Sequence, residues 1–146
     1  MITSSDLKNL LRLKYEKDYV CIDECKTGAS FGHYRIIDFW AMKKSWTNPG
    51  IIACEIKVNR QDFLADDKWK KYLDYCNEFY FVAPKGIIEK DELPPEAGLL
   101  ITSTNARLLY CKKKAPFRDV KIPDSIFRYI LMWRASIDKE GKAMLS

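Results

Sequence analysis

One histidine in 146 residues, and five cysteines that form no cluster, remove several kinds of site at once. The cysteines stand at 21, 25, 54, 76 and 111, an odd and scattered set that makes no disulfide framework. Free thiols buried in a reducing compartment are the expected state. Cys21 and Cys25 could form half of a zinc site, but no second close Cys or His pair follows to complete the ligand count. His33 stands alone in a Gly-containing turn and takes no role here. Long apolar runs are also missing. A stretch such as Phe79 to Ala83 is far too short to span a bilayer, so no membrane partner is expected. Met1 to Asp6 has neither the basic start nor the apolar core of a secretion signal, which predicts a cytoplasmic protein. Internal repeats, low-complexity tracts and inter-domain linkers are absent from the sequence as well.

What is present reads as a single domain over residues 1–146, large enough to bury a core without staples. Apolar residues make up 47% and charged residues 31%, an ordinary globular balance. The formal charge of +5 is modest, and its distribution says more than its sum. Lys8, Arg12, Lys14 and Lys17 cluster early, Lys68, Lys70 and Lys71 in the middle, and Lys112, Lys113 and Lys114 late. Such clusters suit a phosphate backbone, although charge alone favours the plainer reading of solvated helix faces or charged edge-strand ends.

The chain alternates between the two hydrophobic periods. Ser4 or Ser5 can cap a first helix running to about Lys17, with Leu7, Leu10 and Leu11 on its apolar stripe. Strands are predicted over Tyr19 to Cys25, Tyr34 to Met42 and Gly50 to Val58, with a polar loop from Lys43 into the third. A helix from Asn59 or Arg60 to about Cys76 precedes a compact strand at Phe79 to Ala83. After a proline-rich loop, Gly98 to Thr102 and Arg107 to Cys111 form two strands around a turn at Ser103, Thr104 and Asn105. A last helix runs from Asp124 to about Ile137. This order predicts an α/β fold, one mixed central sheet flanked by helices.

The chemistry concentrates in the third strand. Glu55 and Lys57 are two residues apart, so they share a face, about 7 Å apart along the strand. The neighbours of that pair are apolar, and two charges on a core strand are costly unless they pair, bind a metal or do chemistry. Asp38 lies seventeen positions before Glu55, mid-strand in Arg35-Ile36-Ile37-Asp38-Phe39-Trp40. If the two strands are neighbours, Asp38 and Glu55 can converge on one Mg²⁺ or Mn²⁺, with the Ile56 carbonyl as a further ligand. The metal would polarise a scissile phosphate, and Lys57 would hold the attacking water or offset the developing charge. A buried ion pair between Lys57 and either acid is the plain alternative.

Several residues beyond that trio are candidates. Asp62 could support Lys57 or the metal, although a first-turn acid is also favoured by the helix dipole. Trp46 lies in the polar loop near the presumed site and could stack on unpaired bases, with Lys43 and Lys44 beside it on phosphates.

The runs Asp38-Phe39-Trp40-Ala41-Met42-Lys43-Lys44-Ser45-Trp46, Glu55-Ile56-Lys57-Val58 and Asp62-Phe63-Leu64-Ala65-Asp66-Asp67-Lys68-Trp69 resemble the MmcB-like DNA repair proteins. The likeness continues through Phe79-Tyr80-Phe81-Val82-Ala83-Pro84 and includes Glu24-Cys25-Lys26-Thr27-Gly28, covering roughly residues 20 to 102. That group belongs to the PD-(D/E)XK nuclease superfamily, so the resemblance implies a restriction-endonuclease-like core. It implies a metal-dependent nuclease acting on DNA in repair or recombination, with Asp38 and Glu55 as metal-binding acids and Lys57 as the catalytic lysine. A glutamate on the first helix often completes such sites; Glu16 is the candidate, and Glu24 competes with it. In RecB-like branches a Gln precedes a Tyr by four residues on the following helix. Lys68 and Tyr72 hold that spacing here, with Lys in place of Gln. A homodimer is a candidate state, since small enzymes of this fold often dimerise to reach two strands. The competing class is a non-catalytic DNA-binding module that retains the nuclease fold.

Overall fold

The computed structural model describes residues 1–29, 31–32, 34–137 and 140–146; His33 lies outside the described residues. A six-stranded sheet runs in the order β1 (Tyr19–Lys26), β2 (Ile36–Lys43), β3 (Ile51–Ile56), β4 (Glu78–Ala83), β5 (Ala97–Thr102) and β6 (Leu109–Lys113). β2 runs antiparallel to both of its neighbours, β1 and β3; β3 to β5 are parallel, and β6 returns antiparallel. This is the mixed sheet that the sequence predicts. Its middle strands are apolar along nearly their whole length because both faces are covered: β5 buries all six residues, and β3 all but Glu55.

Helix α1 (Ser4–Tyr15) covers one face, pressing Leu7 and Leu11 onto Phe39, Ile52, Cys54, Tyr80, Val82 and Leu100. The other face carries α2 (Arg60–Ala65), a 3-10 helix over Trp69–Tyr75 and α3 (Asp124–Tyr129). There Trp69, Tyr72 and Ile126 pack with Ala53, Phe79, Phe81 and Leu99. Trp69 stacks on Phe79 with ring centroids 5.7 Å apart and meets Phe81 edge-on. Trp40 donates its indole N–H to the Tyr75 carbonyl at 3.0 Å, tying the 3-10 helix to β2. Among the described residues, no helix is long and apolar enough to cross a membrane. All five cysteines are free; Cys25, Cys54 and Cys76 are buried, Cys21 is half-buried and Cys111 is exposed.

Three elements differ from the sequence expectation. Thr3, rather than Ser4 or Ser5, caps α1, because its hydroxyl accepts from the Asp6 amide while the Asp6 carboxylate accepts from the Thr3 amide. The helix expected from Asn59 to Cys76 is two pieces. Asp66 is extended (φ −78°, ψ 116°), and its carboxylate takes the amides of Lys68 at 2.8 Å and Trp69 at 3.3 Å, an alternative to helical bonding that ends α2. The last helix stops at Tyr129 and widens into one broad turn at Ile130–Arg134. It is followed by an unforeseen two-stranded hairpin, β7 (Ala135–Ile137) with β8 (Ala143–Leu145).

Gly98 marks a close approach inside the sheet. A Cβ there would lie 2.4 Å from the Tyr80 ring and 2.6 Å from the Ala115 amide nitrogen, and the backbone atom cannot swing aside. Gly98→Ala is therefore expected to destabilise the fold by about 1–3 kcal/mol, the usual range for overpacking. Urea unfolding would show this as a lowered midpoint with an unchanged slope.

Candidate functional site

The β2–β3 ladder pairs Phe39 with Cys54, so the next positions along, Asp38 and Glu55, stand opposite each other where the ladder ends. The strands part there, and Asp38 spans the gap: its Oδ2 accepts the Ile56 amide at 2.8 Å. Beyond it, β3 leans on β4 instead, with the Lys57 amide donating to the Val82 carbonyl at 2.9 Å. Ile51 and Ala53 of β3 belong to the core beneath the 3-10 helix, and Glu55 and Lys57 continue that alternation onto the same face. Two acids and a lysine are thus delivered to one end of the sheet by pairing register alone.

Their electrostatic balance is unequal. Lys57 Nζ is 2.8 Å from Asp66 Oδ2 but 3.8 Å from Glu55 Oε1, and all three side chains are nearly buried. The second Glu55 oxygen, Oε2, is buried without a hydrogen-bond partner. Burial first, then the charge of Asp38 and a hydrogen bond with its carboxyl, push the Glu55 carboxyl up to about 9, against the opposing pull of Lys57. Burial, and after it the nearby charges of Glu55, Asp38 and Asp66, raise the Tyr72 hydroxyl above its ordinary range. Three carboxylates and one ammonium share this site when all are charged, an excess of two negative charges.

A cleft of about 370 Å³ opens here, its wall including Glu55, Ile56, Lys57, Asp66 and Tyr72. Among the described residues, no group of three or more His, Cys, Asp and Glu is arranged to hold a metal ion. Mg²⁺ does not need one, since it binds through one or two carboxylates and keeps several waters. The orphaned Glu55 oxygen beside Asp38 fits such an ion.

The remaining sequence candidates divide by position. Asp62 and Lys68 line the same cleft and are exposed. Asp62 also serves the cap of α2, accepting the Asn59 side-chain amide at 2.9 Å. Tyr72 is buried in the cleft wall. Glu24 lies across β1 from Asp38, in a left-handed bend (φ 45°) unusual for a residue with a side chain. Arg134 braces that bend by donating to the Asp23 and Glu24 carbonyls, and the Glu24 carboxylate is committed to Lys8 at 2.8 Å. Glu16 is exposed at the C-terminal end of α1, which packs on the opposite face of the sheet from Glu55. The structure does not bring it to the acids.

Trp46, Lys43 and Lys44 require a correction. They line a different cleft, of about 720 Å³, shared with Phe117 and Phe127. Lys43 lies five residues beyond Asp38 along β2, about 17 Å away at strand rise, so this loop is at the far end of the sheet rather than near the acids. The sequence reading also passed over Asp66. The signal was the polar run Asp66-Asp67-Lys68 inside a presumed helix, where an Asp can capture backbone amides and stop the turn.

A family model described as DNA repair protein MmcB-like matches residues 7–128, and the chain belongs to this family. The family's description points to a role in DNA repair. No curated protein matches the chain. Among solved structures, a protein of unknown function from Silicibacter pomeroyi is similar, with 22% identity and a TM-score of 0.69 over 90% of this chain and 83% of that one. At that identity the likeness concerns the fold alone, an α/β mixed sheet flanked by helices in a restriction-endonuclease-like arrangement.

The raised Glu55 carboxyl has a consequence for stability. Its folded value of about 9 exceeds its ordinary 4.5, so the folded protein binds that proton more tightly than the unfolded chain. The stabilisation is complete below pH 4.5 and is lost as pH rises through 9. In chelator, melting temperature is expected to fall across that interval, and Glu55→Gln should flatten the decline. Thermal unfolding followed by circular dichroism at several pH values measures both slopes.

Proposed function

We propose that this MmcB-like chain is a metal-dependent nuclease of the PD-(D/E)XK type, hydrolysing DNA phosphodiesters in repair or recombination. The observation that carries the reading is that Asp38 and Glu55 stand opposite each other while Lys57, the ammonium nearest Glu55, is held by Asp66 at 2.8 Å and lies 3.8 Å from Glu55. A structural ion pair would place Lys57 between the two acids. Here Lys57 sits on Asp66 instead, leaving Glu55 in the cleft wall with Asp38 opposite it on the neighbouring strand, a pair that would suit a divalent cation.

Asp38 and Glu55 would hold Mg²⁺ or Mn²⁺, with the Ile56 carbonyl as a further oxygen ligand. When bound, such an ion supplies Lewis acidity to the phosphate and makes a water acidic enough to yield hydroxide near neutral pH. The chain's own residues do the rest. Asp38 is fixed by the Ile56 amide, so its carboxylate needs no reorganisation. Lys57, nearly buried and immobilised, offers its ammonium to the attacking water or to charge developing on the phosphate. Tyr72 walls the inner side of the cleft and limits water there. Lys68, exposed on the rim, is placed to meet a phosphate. At the far end of the sheet, Lys43, Lys44 and the fully exposed Trp46 offer a second contact for the same polynucleotide.

A panel of single-stranded, duplex, flap and junction DNA incubated with Mn²⁺ tests this directly. The wild-type protein should cut at least one substrate. Asp38→Ala and Glu55→Ala should abolish cutting while leaving DNA binding, and Lys57→Ala should slow it about 10²–10³-fold, as for loss of one transition-state contact. Salt-sensitive binding with no cleavage under either metal would identify a non-catalytic binding module instead. Separately, Trp46→Ala should weaken single-stranded DNA binding by about 1–3 kcal/mol if the indole stacks on a base, as fluorescence anisotropy would measure.

A further inference from the structure

We propose that Asp66 is a positioning residue for Lys57, holding the lysine ammonium off the Asp38–Glu55 pair so that the pair stays open to a cation. The inference deepens the nuclease reading and rests on it as far as the cation is concerned. Its geometry stands independently. The two oxygens of Asp66 have separate tasks: Oδ1 accepts the amides of Lys68 and Trp69 at 2.8 and 3.3 Å, and Oδ2 meets Lys57 Nζ at 2.8 Å. The side chain is only 7% exposed, and the turn it organises leads directly into Trp69, which is clamped between Phe79 and Phe81. Asp66 therefore cannot follow Lys57 if the lysine moves; the lysine is held by an anchored partner.

The distances make the alternative position of Lys57 clear. Glu55 Oε1 is its next anionic neighbour, at 3.8 Å. A charge-assisted contact at hydrogen-bond distance outweighs a looser one, so Asp66 wins the ammonium in the observed arrangement. Without the Asp66 charge, Lys57 would close on Glu55 and satisfy with its own charge the acids that a cation would otherwise take. The helix break and the lysine's placement are one device: the residue that stops α2 is the residue that holds Lys57.

Asp66→Asn separates the two tasks, because an Asn oxygen still accepts the Lys68 and Trp69 amides while the charge is gone. Asp66→Ser, which also keeps a turn-forming oxygen, repeats the comparison should the first variant misfold. Mn²⁺ affinity, read by electron paramagnetic resonance, is expected to drop about tenfold or more in Asp66→Asn. In a Lys57→Met background the same substitution should cost less than about threefold, since the residue it acts through is missing. Equal losses in both backgrounds, or no loss in either, would overturn the proposal.

A second readout needs no metal. The Lys57 ammonium should give a slowly exchanging proton–nitrogen NMR signal in the wild-type protein that survives Glu55→Gln, whereas in Asp66→Asn the signal should depend on Glu55 and vanish when Glu55→Gln is added; a signal in Asp66→Asn that Glu55→Gln leaves intact would overturn the proposal. If the wild-type protein bound no Mn²⁺, the nuclease reading would fall, and the NMR comparison would still decide whether Asp66 positions Lys57.

Discussion

At the open end of the β2–β3 ladder, the Asp38 carboxylate takes the Ile56 amide at 2.8 Å where a backbone carbonyl would otherwise be needed. That bond joins two strands that are already parting, and the site is built outward from it. It sets Asp38 beside Glu55, leaves Lys57 one step further on the same face, and lets β3 continue onto β4 through the Val82 carbonyl. A carboxylate used in this way has one oxygen committed to structure. The cost of placing Glu55 next to it is visible in the upward displacement of the Glu55 carboxyl and in its unpartnered oxygen.

Much of this was legible in residue order because period-2 alternation and register are local properties. Glu55 and Lys57 had to share a face, and Asp38 could meet them if its strand was their neighbour, as it is. The mixed sheet followed from strands that alternate with helices. What stayed hidden depended on competition between side chain and backbone, or on distance through space. Asp66 ends a helix that periodicity alone would continue, because its carboxylate outbids the helical carbonyls for two amides. Glu16 has the right residue type on the right helix, yet α1 packs on the other face of the sheet. Trp46 is near Asp38 in sequence but one strand length away in space.

The charge pattern is similarly reinterpreted by the fold. Lys8 of the early basic cluster is paired with Glu24, and Lys114 of the late one with Glu78. Those lysines are partly engaged within the molecule, so cluster counts overstate the charge available to a phosphate backbone. The free resources are at two ends of one sheet: an acid-rich cleft that suits a cation, and an aromatic, basic cleft about a strand's length away. A polynucleotide touching both would have to run along the strand direction.

In the proposed nuclease, a divalent cation would complete the Asp38–Glu55 pair, with Lys57 held aside by Asp66. Anomalous diffraction from crystals grown with Mn²⁺ tests this most directly. The account predicts a single strong peak in contact with both carboxylates, with Lys57 still on Asp66. No peak between the acids, and Lys57 drawn across to bridge them, would contradict it.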